Sequence, residues 1–79
     1  MITRIYSLKA PVFEREVTSV NLKTISGELT ILDNHRPLIA PLVAGPIRVT
    51  DIKGKEEVIE ARGGFVEVQP KGEVKILLS

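Results

Sequence analysis

Apolar and polar residues alternate one for one along most of this chain, and turn residues interrupt the alternation every few positions. Tyr6, Leu8 and Ala10 alternate with Ser7 and Lys9; Val20 and Leu22 with Ser19, Asn21 and Lys23. Leu29 and Ile31 flank Thr30, and Ile47 and Val49 flank Arg48. Val66 and Val68 alternate with Glu67 and Gln69; Val74, Ile76 and Leu78 follow the same rule. Successive side chains on a strand point to opposite faces, so a period of two marks half-buried strands. The runs are rich in β-branched residues, which pack well on a pleated surface. Ser26-Gly27, Asp33-Asn34, Gly45-Pro46, Lys53-Gly54-Lys55, Gly63-Gly64 and Pro70-Lys71-Gly72 separate them. No stretch of ten or more residues carries a helical period. The pattern predicts an all-β fold: an antiparallel β-sandwich or flattened barrel of about eight to ten short strands.

Length limits what such a fold can bury. Residues 1–79 make one small β-sandwich domain. A chain of this size removes only roughly 60–65% of its unfolded surface from water, so the core is thin. There is no cysteine to staple it or to hold a metal through thiolates. Eleven basic residues against ten acidic ones leave no basic excess for a nucleic-acid partner. The amino terminus lacks the basic and apolar regions of a signal peptide. No apolar run approaches the roughly 18–20 residues of a membrane-spanning helix. These features suit a soluble domain, and any membrane contact would be indirect.

Three features stand out from the strand pattern. Gly63-Gly64-Phe65 places two glycines in a strand-like region, which marks a bulge or a close backbone approach. The expectation is that Phe65 drops into the core there. A phosphate-binding glycine loop would need a following helix, and none is expected. His35, the only histidine, is the one plausible general base, but no nucleophile stands in a catalytic context near it. Asp33 and His35 supply too few ligands for a metal. Glu56, Glu57 and Glu60 read as the solvated acidic flank of a hairpin, and Glu28 as a strand-end carboxylate that is either solvated or presented to a partner. Leu38-Ile39-Ala40-Pro41-Leu42-Val43-Ala44-Gly45-Pro46 is more apolar than a solvated loop requires. It fits a buried crossover between sheets or an exposed patch for a protein partner, and both can hold on different faces. The prolines at 37, 41 and 46 lack a ladder donor and favour an edge or a connection.

With these residues in hand, the chain resembles the N-terminal β-sandwich domain of the ε subunit of F-type ATP synthases, called δ in mitochondria. That family carries Gly-Glu-Phe/Leu-Gly-Ile-Leu-Pro-Asn-His-Ala-Pro-Leu-Leu, matched here by Gly27 to Ile39 through Gly27-Glu28-Leu29, Ile31-Leu32 and Asn34-His35-Arg36-Pro37-Leu38-Ile39. The later Gly-Gly-Phe-x-Glu-Val motif is matched by Gly63-Gly64-Phe65-Val66-Glu67-Val68, and Val12-Phe13 through Val20 resembles the family's early Val-Phe-Ser-Gly-Glu-Val-Asp-Ser-Val. Thr30 stands for a usual glycine, Asp33 for a usual proline, and Glu14-Arg15 for a usual Ser-Gly. The family's C-terminal helical hairpin, which carries its inhibitory and nucleotide-sensing roles, has no counterpart in these residues.

The resemblance implies a non-catalytic rotor subunit of the central stalk, joining the γ subunit to the polar loops of the membrane c-ring and supporting proton-driven ATP synthesis. It implies no cofactor. It implies a peripheral position, as part of F1, on the cytoplasmic face of a bacterial plasma membrane or the matrix or stromal face of an organelle. By motif position, Glu28, Leu29 and Ile31 would face the c-ring loops; His35, Arg36, Pro37, Leu38 and Ala40 would lie where γ meets the ring. The alternative is a generic β-sandwich adaptor unrelated to the synthase.

Overall fold

A computed structural model describes all 79 residues as nine strands and no helix. They are β1 (Ile2–Tyr6), β2 (Pro11–Glu16), β3 (Ser19–Thr24), β4 (Gly27–Leu32), β5 (Leu38–Leu42), β6 (Gly45–Thr50), β7 (Glu56–Ala61), β8 (Gly64–Val68) and β9 (Val74–Leu78). Their hydrogen-bonded order is β2-β1-β9-β8-β5-β3-β6-β7, with β4 on the other side of β3. One edge of β3 is divided between two neighbours. Ser19 to Asn21 pair with β6, whereas Thr24 alone pairs with Leu42 of β5. The sheet folds over at that corner. One layer is β2-β1-β9-β8-β5 and the other is β4-β3-β6-β7.

Both layers contribute to one core of fourteen buried apolar residues. Ile5, Val66, Val68, Val74 and Ile76 come from the first layer; Val20, Leu22, Ile31, Ile47 and Val49 come from the second. These are largely the inward positions that alternation predicts. The amino terminus is pinned as well. Met1's ammonium group donates to the Glu16 carboxylate, to the Val17 carbonyl at 2.9 Å and to Asp33 Oδ1 at 3.1 Å.

Four expectations need correction. The chain ends pair in parallel: Thr3 lies opposite Val74 and Ile5 opposite Ile76, so the fold is mixed at β1–β9 and antiparallel elsewhere. The first strand is Ile2–Tyr6 with Thr3 and Ile5 inward, not a strand through Leu8 and Ala10. Ser7 turns the chain there: its Oγ donates to the Ala10 carbonyl at 3.1 Å, and Leu8 is 92% exposed. Phe65 is not in the core but 54% exposed. Val66 and Val68 point inward, so strand alternation sends Phe65 outward. Glu56, Glu57 and Glu60 do not share one face either. Glu57 lies on the inner side of β7 beside Phe13 and Val49, opposite to Glu56 and Glu60.

The double glycine makes a close approach and not the expected bulge that would turn Phe65 inward: the register of β8 with β5 and β9 is unbroken from Gly64 on. A Cβ on Gly64 would sit 1.9 Å from the Leu77 carbonyl oxygen, and the residue has φ +134°. Only glycine lets β8 lie this close to β9.

Candidate functional site

The two layers present different outer faces. On β4-β3-β6-β7 the outward side chains are largely polar. Asn21 Nδ2 donates to Glu28 Oε2 at 3.0 Å and to Thr30 Oγ1 at 2.9 Å; Arg48 Nη1 donates to Glu56 Oε1 at 3.3 Å. Registration across the other layer gives a different row. Pro41 lies opposite Phe65, Phe65 opposite Leu77, and Leu77 opposite Tyr6. Residues directly opposite in adjacent strands share a face, so this is a continuous apolar row across four strands. Phe65 and Leu77 are half exposed, and Ile39, two residues before Pro41, is 71% exposed. Exposed apolar side chains scattered singly need no explanation, whereas a contiguous row is a candidate contact surface.

A charged row runs beside it. Glu67 lies opposite Lys75, and Lys75 opposite Arg4. Arg4 Nε donates to Glu14 Oε2 and its Nη1 to Glu73 Oε1, each at 3.0 Å. The bond to Glu14 and then that to Glu73 raise the guanidinium's pKa further above its ordinary range. The apolar row thus has a polar rim, the arrangement of protein–protein interfaces.

The corner after β4 leads onto this face. Asn34 takes the left-handed conformation, φ +67°, which asparagine tolerates. His35 N–H donates to the Leu32 carbonyl at 3.2 Å, closing the turn. His35 Nδ1 lies 2.7 Å from the Arg36 carbonyl, so Nδ1 carries the proton and donates. The ring is thereby held by its own corner. A cleft of about 370 Å³ separates the corner from the Pro70-Lys71-Gly72 turn, and its lining includes no hydroxyl side chain and no carboxylate. This arrangement positions a turn and offers nothing for His35 to activate.

The eight residues singled out from the sequence fall into three groups. Glu28, Arg36 and Pro37 are exposed. Leu29, His35, Leu38 and Ala40 are half-buried, and Leu29, Leu38 and Ala40 pack against the core. Ile31 is fully buried. Its expected place on an outer surface is therefore corrected: position 31 has inward parity on β4, and its side chain lies in the core. Leu38 and Ala40 likewise project inward, and the outward residues of β5 are Ile39 and Pro41, which motif position did not select. Phe65, Leu77 and Tyr6 were missed too. The signal was present in the parity of β8, where Phe65 is out of phase with Val66 and Val68, and in the pair Leu77-Leu78, which cannot both face inward.

The apolar stretch from Leu38 turns out to serve both faces. Leu42 is in the core, whereas Ile39 faces water. Pro41 sits inside β5 without breaking it. Its carbonyl accepts from Ile25 N–H at 3.3 Å on the side away from β8, so its missing donor is on that side too and removes no bond to β8.

All 79 residues match the family model described as ATP synthase, Delta/Epsilon chain, beta-sandwich domain. The chain is 49% identical over 59 residues to the ATP synthase epsilon chain of Dichelobacter nodosus, covering 75% of this chain and 41% of that relative. It is 42% identical over 66 residues to that of Acinetobacter baylyi, covering 84% and 48%. The chain thus spans under half the length of these curated relatives. Among solved structures, a chain of the Euglena gracilis mitochondrial ATP synthase, OSCP/F1/c-ring, superposes with a TM-score of 0.93 at 25% identity, over 99% of this chain and 49% of that one. A chain of the Tetrahymena thermophila mitochondrial ATP synthase central stalk/c-ring superposes at 0.82 and 17% identity, over 99% and 62%, a likeness of fold.

Proposed function

This chain belongs to the β-sandwich domain family of ATP synthase delta/epsilon chains, and from that premise we propose that it is a non-catalytic, cofactor-free part of the synthase's central stalk, joining the γ subunit to the c-ring. The observation that carries the reading is the apolar row Pro41-Phe65-Leu77-Tyr6, in register across four strands and flanked by Ile39 on the same face. A stalk joint has to transmit torque without slipping. That calls for a broad dry contact with aromatic and aliphatic anchors near its centre. Phe65 and Leu77 are such anchors, and this face packs on γ.

The end of the molecule that carries Glu28, Leu29 and the His35-Arg36-Pro37 corner faces the polar loops of the c-ring. Leu38 and Ala40 support it from within. Glu28 is exposed and already oriented by Asn21, so it sets register against the loops more than affinity. The membrane is reached only through the ring, which places the domain on the side of the membrane that carries F1. Nucleic acid is not a partner.

The experiment is co-purification of this chain with the γ subunit of the same synthase, followed by thermal melting with and without γ. A stable complex and a rise in melting temperature with γ concentration are expected, because a partner that binds only the folded state stabilises it by mass action. Ile39→Asp should weaken the complex while leaving the free chain folded. No complex, and a melting temperature unmoved by γ, would leave a domain of this family acting as an adaptor elsewhere.

A further inference from the structure

The sandwich has two seams where its layers meet, and they are finished differently. Along the seam between β2 and β6–β7, Phe13, Val17 and Val49 are buried. Arg15 Nη1 spans that seam to Glu57 Oε1 at 3.1 Å, with its guanidinium 5.2 Å from the Phe13 ring centre. Only about 10 Å³ of space remains beneath. The opposite seam, between β4 and β5, is open. A groove of about 360 Å³ runs there, lined by Gly27, Glu28, Leu29, Leu38, Ile39 and Ala40 among others.

Backbone parity decides what faces this groove. A two-residue turn, Ile25-Ser26, joins β3 to β4, so Thr24 and Gly27 form its closing pair. The inward-bonded pairs are then Leu22 with Leu29 and Val20 with Ile31. The N–H and C=O groups of Glu28, Thr30 and Leu32 point the other way, off the edge of the layer. Two contacts fix this phase independently. The Leu32 carbonyl accepts from His35 outside the hairpin, and on β3 the Lys23 carbonyl accepts from Val43 at 3.0 Å on its far side. No strand pairs with that edge of β4. On β5, Ile39 shares the parity of Pro41, so its backbone groups also point away from β8, where no strand pairs with it.

Unpaired strand edges are ordinarily protected by charge. β2 carries Glu14, Arg15 and Glu16, and β7 carries Glu56, Glu57 and Glu60. β4 carries one charge, Glu28, followed by Thr30 and Leu32. Glu28 makes no ion pair, its hydrogen-bond partner is the neutral Asn21, and it is the only charged residue in the groove lining.

We propose that the free edge of β4 receives an extended segment of a partner polypeptide as an added strand, hydrogen-bonded to Glu28 and Thr30, with alternate apolar side chains against Leu29, Leu38 and Ala40 and a basic side chain opposite Glu28. Main-chain bonds supply the affinity of such a pairing and the alternating side chains its selectivity. The inference rests on the central-stalk reading for where the partner comes from, since the groove is lined by Ile39, which stands next to Pro41 on the outer face of β5. It adds the mode of contact.

The probe is a blocked hexapeptide of alternating valine and threonine with an amino-terminal lysine, titrated into isotopically labelled chain. Slowed hydrogen exchange at the Glu28 and Thr30 amides is expected on saturation. Thr30→Pro removes an amide that bonds to nothing within the hairpin, so it should keep the fold and cut peptide affinity at least tenfold, whereas Thr30→Val should not. If Thr30→Pro does not fold, a peptide N-methylated on the amides that face β4 makes the same test, with the same tenfold loss expected. Unchanged amide exchange at millimolar peptide, or equal binding by Thr30→Pro or the methylated peptide, overturns the proposal. Protection that grows with chain concentration in the absence of peptide assigns the edge to a second copy and also overturns it. The same amides are read in a complex with γ and the c-ring. A complex that forms with both amides exchanging freely sinks the edge proposal and leaves the stalk reading standing. Peptide protection without any stalk complex does the reverse.

Discussion

The two outer faces of this sandwich are built from strands of five or six residues that are both rich in β-branched side chains, yet they do opposite things. The β4-β3-β6-β7 face joins its polar side chains to one another, through Asn21 with Glu28 and Thr30 and through Arg48 with Glu56. The β2-β1-β9-β8-β5 face sets Pro41, Phe65, Leu77 and Tyr6 in one row and leaves them to water. Side chains already hydrogen-bonded to each other gain little from a partner. Exposed apolar area gains roughly 25 cal/mol per Å² when covered. The difference says which face is finished and which is waiting, and it follows from parity alone: one residue of slip in β8 would exchange Phe65 for Val66.

Gly64 holds that parity, so its replacement is expected to have the largest effect. In Gly64→Ala the new Cβ would lie 1.9 Å from the Leu77 carbonyl, and backbone must move rather than a side chain. A loss of about 3 kcal/mol or more in urea unfolding is expected, at the upper end of single substitutions. A domain of this length has roughly 4–12 kcal/mol in total, so part of the population unfolds outright. A loss under 1 kcal/mol would mean that β8 and β9 are not held this close.

Ile31→Ala comes next. Removing a fully buried isoleucine costs about 2–5 kcal/mol, and the same chemical melt should record it. Leu29→Ala, half-buried on the same strand, should cost less than Ile31→Ala. A stable Ile31→Ala that instead loses partner binding would restore position 31 to the contact surface.

Smaller effects test the closed seam and the chain start. Arg15→Ala removes the bridge to Glu57, both half exposed, and should cost about 0.2–1 kcal/mol, falling as salt is added. The Met1 ammonium has its pKa raised above 8.0, first by the Glu16 carboxylate and then by Asp33, with burial opposing both. A group whose folded pKa is raised adds stability that is fully present below the unfolded value and is lost as pH rises through the folded one. The chain with an unblocked amino terminus should therefore lose a small increment of stability above pH 8, and Glu16→Gln should flatten that loss. A pH-independent melt across that window contradicts the pinning.

These effects also separate what could be read in the chain from what could not. The strands in the middle were legible because Val20-Leu22, Ile47-Val49 and Val66-Val68 each carry unbroken alternation between clear turns. The β1–β9 pairing was not. It joins residues about seventy positions apart and in parallel, and nothing local encodes it. Tyr6 and Leu8 continued an alternation that the Ser7 turn cuts short, which shifted the first strand's frame. At the site, motif position located the corner and β5 but selected Leu38 and Ala40, the residues whose parity faces the core. Phe65 is expected inside only if Gly63-Gly64 bulges and turns the strand, and it does not. The twin valines after it settle the matter, and a stricter use of period two would have put it on the surface.

The most direct measurement is titration of the matched γ subunit into three forms of the chain: unchanged, Phe65→Asp, and Val58→Asp. Val58 is 45% exposed on the polar face and Phe65 is 54% exposed on the apolar one, so the two substitutions bury a charge in neither free chain. Phe65→Asp should weaken binding by about 2–4 kcal/mol, as loss of a central aromatic anchor does, while Val58→Asp should bind as the unchanged chain does. Equal affinity for Phe65→Asp and the unchanged chain, or a loss confined to Val58→Asp, would contradict the packing of the apolar face on γ and turn the molecule over.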